Sequence, residues 1–369
     1  MQLKTKSQSV NMIRLLLLLF FTITCNASAV TLEEKIGQMI MIGFKGTAVN
    51  KGWTETVAEQ IKEKRVGGIL LLKRNIASPS QIKQLTSYLQ NISTETLLIA
   101  VDQEGGKVQR LSKTNGFTNY KTAEDTADML TTNKALKQYE KMASQLKKTG
   151  INFNLAPVVD LNISENSPAI GALERSFSKN PQTVIKYARA FITAHHEFNI
   201  LTTLKHFPGH GSALKDSHKG ITDITETWSE NELKPFKSLI KDNLADSVMV
   251  GHLFNRHLDK RYPATLSQKI IGNILRKQLG FSGVVISDDL QMKALSRYYS
   301  MKEVAIKAVN AGCDILIFAN YFNPDKYLPN KIISILKQAV KNKVIDKENI
   351  ENSYRKIMKL KDKIKSPAL

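Results

Sequence analysis

Ile200-Leu-Thr-Thr-Leu204 runs directly into Lys205-His-Phe-Pro-Gly-His-Gly211, and Asp216-Ser-His218 follows close behind. The apolar, β-branched run predicts a buried strand. That strand ends in Lys-His and breaks on Pro-Gly, so charged groups fall at its carboxyl end, on an irregular loop. In parallel α/β folds this is where chemistry is done. Three of the seven histidines of the chain lie between residues 205 and 218. An ordinary turn with bystander histidines is the bland alternative. The gathering of polar groups at the ends of other strands weighs against it.

Outward from this stretch the same pattern repeats. Gln38–Gly43, Gly67–Leu72, Leu97–Asp102 and Asn152–Asp160 read as strands one to four. Ser247–His252, Gly283–Asp288 and Asp314–Ala319 read as strands six to eight. Helical segments fall between them. Trp53–Lys64 has helical spacing, Ser78-Pro79 caps a helix to about Gln90, and a long helix is predicted over roughly Ala123–Lys148. Asn180-Pro181 starts a helix carrying His195 and His196, read as surface or packing residues. Thr31–Glu34, Ser229–Glu232 and Ser300–Glu303 read as capping boxes, Ser267 caps a helix ending near Gly280, and lysine-rich helices finish the chain. Continuous apolar runs are what parallel strands buried on both faces look like. Eight such units predict an α/β fold, a (β/α)₈ TIM barrel in one domain over residues 30–369, with a doubly wound sheet as the alternative. No G-x-G-x-x-G follows a strand and no G-x-x-x-x-G-K-[ST] occurs, so no dinucleotide or P-loop site is expected.

The chain has 369 residues, 42% of them apolar and 23% charged, which suits a folded core of good size. Its net charge of +20 raises the question of nucleic acid. The lysines are scattered along helical segments with no aromatic-interleaved basic run, so a solvated surface is the simpler reading, with at most weak attraction to an anionic envelope. At the N-terminus Lys4, Lys6 and Arg14 lead into a short apolar run from Leu15 to a little beyond Phe21. Ala27-Ser-Ala29 then offers an A-x-A cleavage site, so residues 1–29 read as a signal peptide. Its removal takes three basic residues and leaves +17. Thr22-Ile-Thr24 before Cys25 fits a lipoprotein signal poorly. Without Cys25, Cys313 is the only thiol, no internal disulfide forms, and Cys313 is expected as a small buried apolar residue.

In a barrel all eight carboxyl ends meet on one face. Those ends supply Asp102, Asp160, Lys205, His206, His252 and Asp288, with Asp216 and His218 on the loop after strand five, and Arg110 and Arg175 on loops of their own. Acids, fixed cations and imidazoles together suit a polyhydroxylated ligand. Lys205–Gly211, Asp216-Ser-His218, Gly283-Val-Val-Ile-Ser-Asp-Asp-Leu290, Val101-Asp-Gln-Glu-Gly-Gly106 and Arg175-Ser-Phe177, five motifs present together and in order along the chain, resemble glycoside hydrolase family 3 in its β-N-acetylglucosaminidase branch. The resemblance covers roughly residues 31–340.

The resemblance implies roles. Asp288 is the expected nucleophile, with Asp289 a structural neighbour. His218 is the expected acid/base, oriented by Asp216. Asp102, Arg110, Arg175, Lys205 and His206 are expected to bind the sugar. No metal or cofactor is implied. Some family members carry a second domain that supplies an acid/base carboxylate; this chain ends soon after strand eight, which favours the branch that uses a loop histidine. Such a histidine titrates near neutrality, so it can give and then take a proton. It also sets no second anion beside Asp288, which opens phosphorolysis as an alternative to hydrolysis. Other readings stay open: a metal hydrolase on His206, His210 and His218, although no H-E-x-x-H spacing is present; a non-catalytic envelope sugar-binding protein; and, more remotely, a nucleic-acid binder. The expected substrate is an amino-sugar glycoside such as a peptidoglycan fragment, met outside the cytoplasm, in the periplasm or secreted, by a monomer.

Overall fold

The computed structural model describes residues 29–215, 220–321 and 323–365. The signal segment up to Ser28, with Cys25, and both Asp216 and His218 lie outside the described residues. The fold below is that of the unit Leu32–Leu369. Eight parallel strands form one sheet: β1 Ile40–Gly43, β2 Gly68–Leu71, β3 Leu98–Val101, β4 Phe153–Asn154, β5 Leu201–Phe207, β6 Ser247–Val250, β7 Val284–Ser287 and β8 Leu316–Phe318. Their order is β7-β6-β5-β4-β3-β2-β1-β8, so β1 lies between β2 and β8. The ring closes between its outer members. Ile286 bridges Ile315, and Ser287 N–H donates to Ile315 O at 2.9 Å. The sheet is therefore a barrel, and the doubly wound alternative is set aside.

Every residue of β1, β2, β3, β6 and β7 is buried, which is why these strands read as unbroken apolar runs with no alternation. The surrounding helices pack apolar faces onto them. Phe207 of β5 meets Phe236 of helix Lys234–Lys241 edge to face, with ring centroids 5.3 Å apart. Cys313 is fully buried and reduced, as its apolar neighbours predict.

Three elements differ from expectation. The helix predicted over Ala123–Lys148 is two helices, Ala123–Met129 and Thr132–Lys148. Thr131 adopts an extended backbone and its hydroxyl accepts Lys134 N–H at 3.4 Å, so it starts a second helix instead of continuing the first. Strand four ends at Asn154 rather than Asp160, because Pro157 has no N–H to give the ladder; beyond it only Val158 bridges to Lys205. The Ser229–Glu232 stretch is a 3₁₀ turn, Glu230–Leu233, and the Ser229 side chain caps nothing. Glu232 is buried and turned toward the loop after β5. The Ser300–Glu303 box forms as read, with Ser300 Oγ accepting Glu303 N–H at 3.3 Å and Glu303 accepting Ser300 N–H at 2.8 Å.

Candidate active site

Lys205 stands inside β5, where every residue is buried, and it is 1% exposed. A buried ammonium needs carboxylate partners. It has two: Nζ donates to Asp102 Oδ1 at 3.0 Å and lies 2.6 Å from Glu104 Oε1. Asp102 follows β3 directly. Glu104, two residues on, starts from the same side of the extended segment Gln103–Gly105, so both acids reach one cation. Asp102 Oδ2 also accepts Arg110 at 2.9 Å. Arg175 donates from Nε and from NH2 to the two oxygens of Glu104, each at 2.8 Å, and from NH1 to Ala169 O at 2.8 Å. Arg110, Asp102, Lys205, Glu104 and Arg175 thus form an alternating chain of charge across the mouth between β3 and β5.

The protonation states follow from these pairings. Burial alone would raise the Asp102 carboxyl, but Lys205 and then Arg110 hold it well below the usual carboxylate range. Burial opposes ionisation of Glu104 too, yet Arg175 and Lys205 bring it down to about 2. For Arg175 burial works against the charge and Glu104 more than offsets it, so the guanidinium is held more firmly than in water. Arg110 Nε is buried and has no hydrogen-bond partner among the described residues.

His206, the next residue on β5, is held by Asp160. Its N–H donates to Asp160 Oδ1 and Oδ2 at 3.0 and 3.1 Å, and its Nδ1 lies 2.7 Å from Oδ2. His210 N–H donates to Oδ1 of the same acid at 2.8 Å. Burial would raise the Asp160 carboxyl, and the His206 and His210 contacts reverse this. Nε2 of His206 lies 3.4 Å from Arg175 NH2. Because arginine can only donate, that geometry puts the ring proton on Nδ1, facing Asp160. His210 is buried, and burial followed by the field of His206 pushes its pKa down to about 4, against the pull of Asp160.

Across the mouth, Asp288 is the first residue after β7 and half-buried. Its N–H donates to Val250 O at 3.1 Å, and its Oδ1 accepts Asp289 N–H at 2.8 Å. The Asp289 carboxylate turns away and accepts Gln291 N–H at 3.1 Å and Ala319 N–H at 3.0 Å, tying the β7 loop to the end of β8. His252 is 1% exposed, between Thr265 Oγ1 at 2.8 Å and Asp289 O at 2.9 Å, so it braces this loop from below. Among the described residues no group of three or more His, Cys, Asp or Glu side chains is arranged to hold a metal ion.

The structure therefore brings Asp102, Arg110, Arg175, Lys205 and His206 into one network, with Asp288 on the same face of the barrel. Residues 216 and 218 cannot be placed with them, being outside the described residues. Sequence reasoning gave no role to Glu104, although its i, i+2 spacing from Asp102 in an extended segment was the available signal. It left Asp160 as an acid at a strand end, and it read Glu232 as a cap.

A closed parallel barrel with ionised groups massed at its carboxyl ends defines a TIM barrel whose strand-end chemistry suits a polar ligand. Residues 31–360 match the family model described as glycosyl hydrolase family 3 N terminal domain. A curated relative, "Beta-hexosaminidase A" of Pseudoalteromonas piscicida, is 30% identical over 369 residues, covering 90% of this chain and 61% of the relative. "Beta-hexosaminidase" of Photobacterium profundum is 39% identical over 268 residues, covering 71% of this chain and 77% of the relative. The solved glycoside hydrolase family 3 beta-N-acetylglucosaminidase of a Paenibacillus superposes with a TM-score of 0.83 at 32% identity, covering 92% of this chain and 64% of that one. The chain thus spans less than two thirds of the Pseudoalteromonas and Paenibacillus proteins. It belongs to glycosyl hydrolase family 3.

Proposed function

We propose that this chain is a retaining exo-β-N-acetylglucosaminidase. Terminal β-linked N-acetylglucosamine is bound by Asp102, Arg110, Lys205, Arg175 and His206. Asp288 attacks the anomeric carbon and forms a covalent glycosyl-enzyme, while His218, oriented by Asp216, protonates the departing oxygen. In the second step His218 takes a proton from water, which attacks the same carbon and frees Asp288. The observation that carries the reading is the pairing of two unlike halves of one barrel mouth. One half is a chain of ionised side chains suited to hydroxyl and amide groups; the other is the half-buried carboxylate of Asp288, whose neighbour Asp289 accepts Gln291 N–H and Ala319 N–H and so holds the loop. The names of the relatives, hexosaminidases and a β-N-acetylglucosaminidase, support the amino sugar as the glycone.

The natural substrate we propose is a peptidoglycan fragment, met after export by a monomeric protein. What supports export is the basic lead, short apolar run and Ala-Ser-Ala motif of residues 1–29. What supports an anionic wall or envelope setting is the excess of 53 basic over 33 acidic residues.

The test is hydrolysis of matched 4-nitrophenyl β-N-acetylglucosaminide and β-glucoside by the protein lacking residues 1–29. Preference for the amino sugar is expected; equal rates would remove the acetamido specificity. Product analysis with and without phosphate distinguishes the two acceptors. Free N-acetylglucosamine in both is expected, whereas sugar 1-phosphate would make the enzyme a phosphorylase.

A further inference from the structure

Glu104 has no place among the residues assigned to the sugar, yet it touches two of them. Arg175 donates to both of its oxygens, from Nε and NH2 at 2.8 Å each, and Lys205 Nζ stands 2.6 Å from Oε1. The pair is buried, with the Glu104 side chain 7% exposed and that of Arg175 11%. A two-point fork of this kind fixes the plane of a guanidinium as well as its distance. The same guanidinium reaches His206, with NH2 3.4 Å from Nε2. Glu104 therefore stands directly behind two of the proposed sugar ligands and, through Arg175, beside a third. Buried ion pairs add little net stability, because desolvation takes back most of what the attraction gives. Apolar side chains of similar size would hold this part of the fold as well.

The backbone around Glu104 keeps the contact in place. Gln103–Gly105 pairs antiparallel with Val108–Gln109 in a short hairpin after β3. Gly105, at φ +107°, and Gly106, at φ +56°, let it turn against the next segment. A Cβ on the first would run into Lys121 O, and one on the second into the Thr122 side chain. Gly106 N–H donates to Tyr120 O at 3.0 Å. The hairpin reaches the turn that carries Arg175 a second time, on its exposed side. There Lys107 Nζ donates to Ala172 O at 3.1 Å and to Glu174 Oε1 at 2.9 Å. The 3₁₀ turn Gly171–Leu173 ends at Glu174, which sits in the left-handed region at φ +58°. A residue with a side chain enters that region at a cost. Contacts on both sides of this one residue, Lys107 outside and Glu104 inside, hold the turn there.

We propose that Glu104 is a positioning residue for binding of the sugar: it holds Arg175 and Lys205 in the orientation in which they meet the glycone, and does not itself touch substrate. The inference rests on the sugar-binding role proposed above for those two cations. A residue that acts through Arg175 loses its effect once Arg175 is gone, so the signature is non-additivity. A general loss of folded protein would lower the apparent kcat and leave KM and inhibition constants where they were.

The experiment measures KM for 4-nitrophenyl β-N-acetylglucosaminide, and the inhibition constant of free N-acetylglucosamine, in wild type, Glu104→Gln, Glu104→Asp, Arg175→Gln and the double variant Glu104→Gln/Arg175→Gln. Glu104→Gln removes the charge, and Glu104→Asp withdraws the carboxylate by one methylene. Each is expected to raise both constants about tenfold, and Arg175→Gln at least as much. The double variant is expected to match Arg175→Gln within about twofold instead of multiplying the two losses. Glu104→Asp keeps the test decisive if Glu104→Gln does not fold, since its cycle with Arg175→Gln makes the same prediction. Unchanged constants in the Glu104 variants, or losses that multiply, would overturn the positioning role while Arg175→Gln still weakens binding. Wild-type constants in Arg175→Gln would instead overturn the sugar-binding reading of Arg175, and the positioning role with it.

Discussion

Both ends of the barrel bury carboxylates against cations, and they do different things with them. At the amino end, Asp246 precedes β6 and Asp314 precedes β8. Asp246 Oδ2 accepts Thr202 N–H at 3.0 Å and His196 Nε2 at 2.7 Å, and its Oδ1 accepts Lys363 at 2.8 Å. Asp314 accepts Val285 N–H at 2.9 Å, Arg276 at 2.6 Å, Ser353 at 2.9 Å and Lys356 at 3.1 Å. Each acid ties a strand backbone to the last helix, Lys347–Lys365. At the carboxyl end, the contacts of Asp102 and Glu104 described above are all to cationic side chains, Lys205, Arg110 and Arg175. One set of charges is consumed in holding helices to strands. The other holds in place the side chains proposed to bind the sugar.

The comparison breaks if carboxyl-end substitutions act through stability or amino-end ones through catalysis. The largest effect is expected for Asp288→Ala: a loss of about 10⁴-fold or more in kcat on the aryl glycoside, with little change in thermal midpoint. Wild-type rates would end its proposed role as nucleophile. Next comes Lys205→Ala, which leaves Asp102 and Glu104 short of a partner and is expected to cost about 3–5 kcal/mol in urea unfolding, together with most of the activity. At the other end, Asp246→Ala should cost about 3 kcal/mol by the same measurement and leave KM unchanged in whatever protein remains folded.

Acidity sharpens the contrast. For Asp246 burial would raise the pKa, but His196 and Lys363 bring it down to about 2, so its stabilisation is present above the unfolded carboxylate range and is lost as pH falls toward 2. Glu232 has the opposite sign. Burial, with the field of Asp160 adding to it, raises its pKa to about 7, against the Gly211 N–H that it accepts. The folded state then holds a proton that the unfolded chain gives up near 4.5, so stability falls as pH rises through this window and levels off above 7. Wild type is expected to lose about 2 kcal/mol relative to Glu232→Gln between pH 5.5 and 8, read from urea melts at the two values. The smallest effect belongs to Lys363→Ala. Its side chain is half exposed, so the cost should stay below about 1 kcal/mol.

The barrel was legible because parallel strands buried on both faces leave a mark that local reading can find, a short apolar run bounded by turn residues. Most of the expected strands fall within a residue or two of those observed. The site was legible where an ionisable residue sat directly at the end of such a run, as with Asp102, Lys205, His206 and Asp288. It was not legible where a role depended on an approach from elsewhere in the chain. Glu232 matches the S-x-x-E pattern as well as Glu303 does. Only the arrival of Gly211 separates a buried acceptor from a solvent-exposed cap. Asp246 and Asp314 show the same limit from the other side, since an acid before a strand and an acid after one differ in sequence by position alone.

The closure of the ring has a consequence for how the protein is made. Because β1 finds one of its two neighbours in β8, the first strand to leave the ribosome keeps an unsatisfied edge until almost the whole barrel has been synthesised. A chain shortened before Leu316 would carry that edge permanently, along with a gap beside β7, and would aggregate instead of yielding a smaller working enzyme.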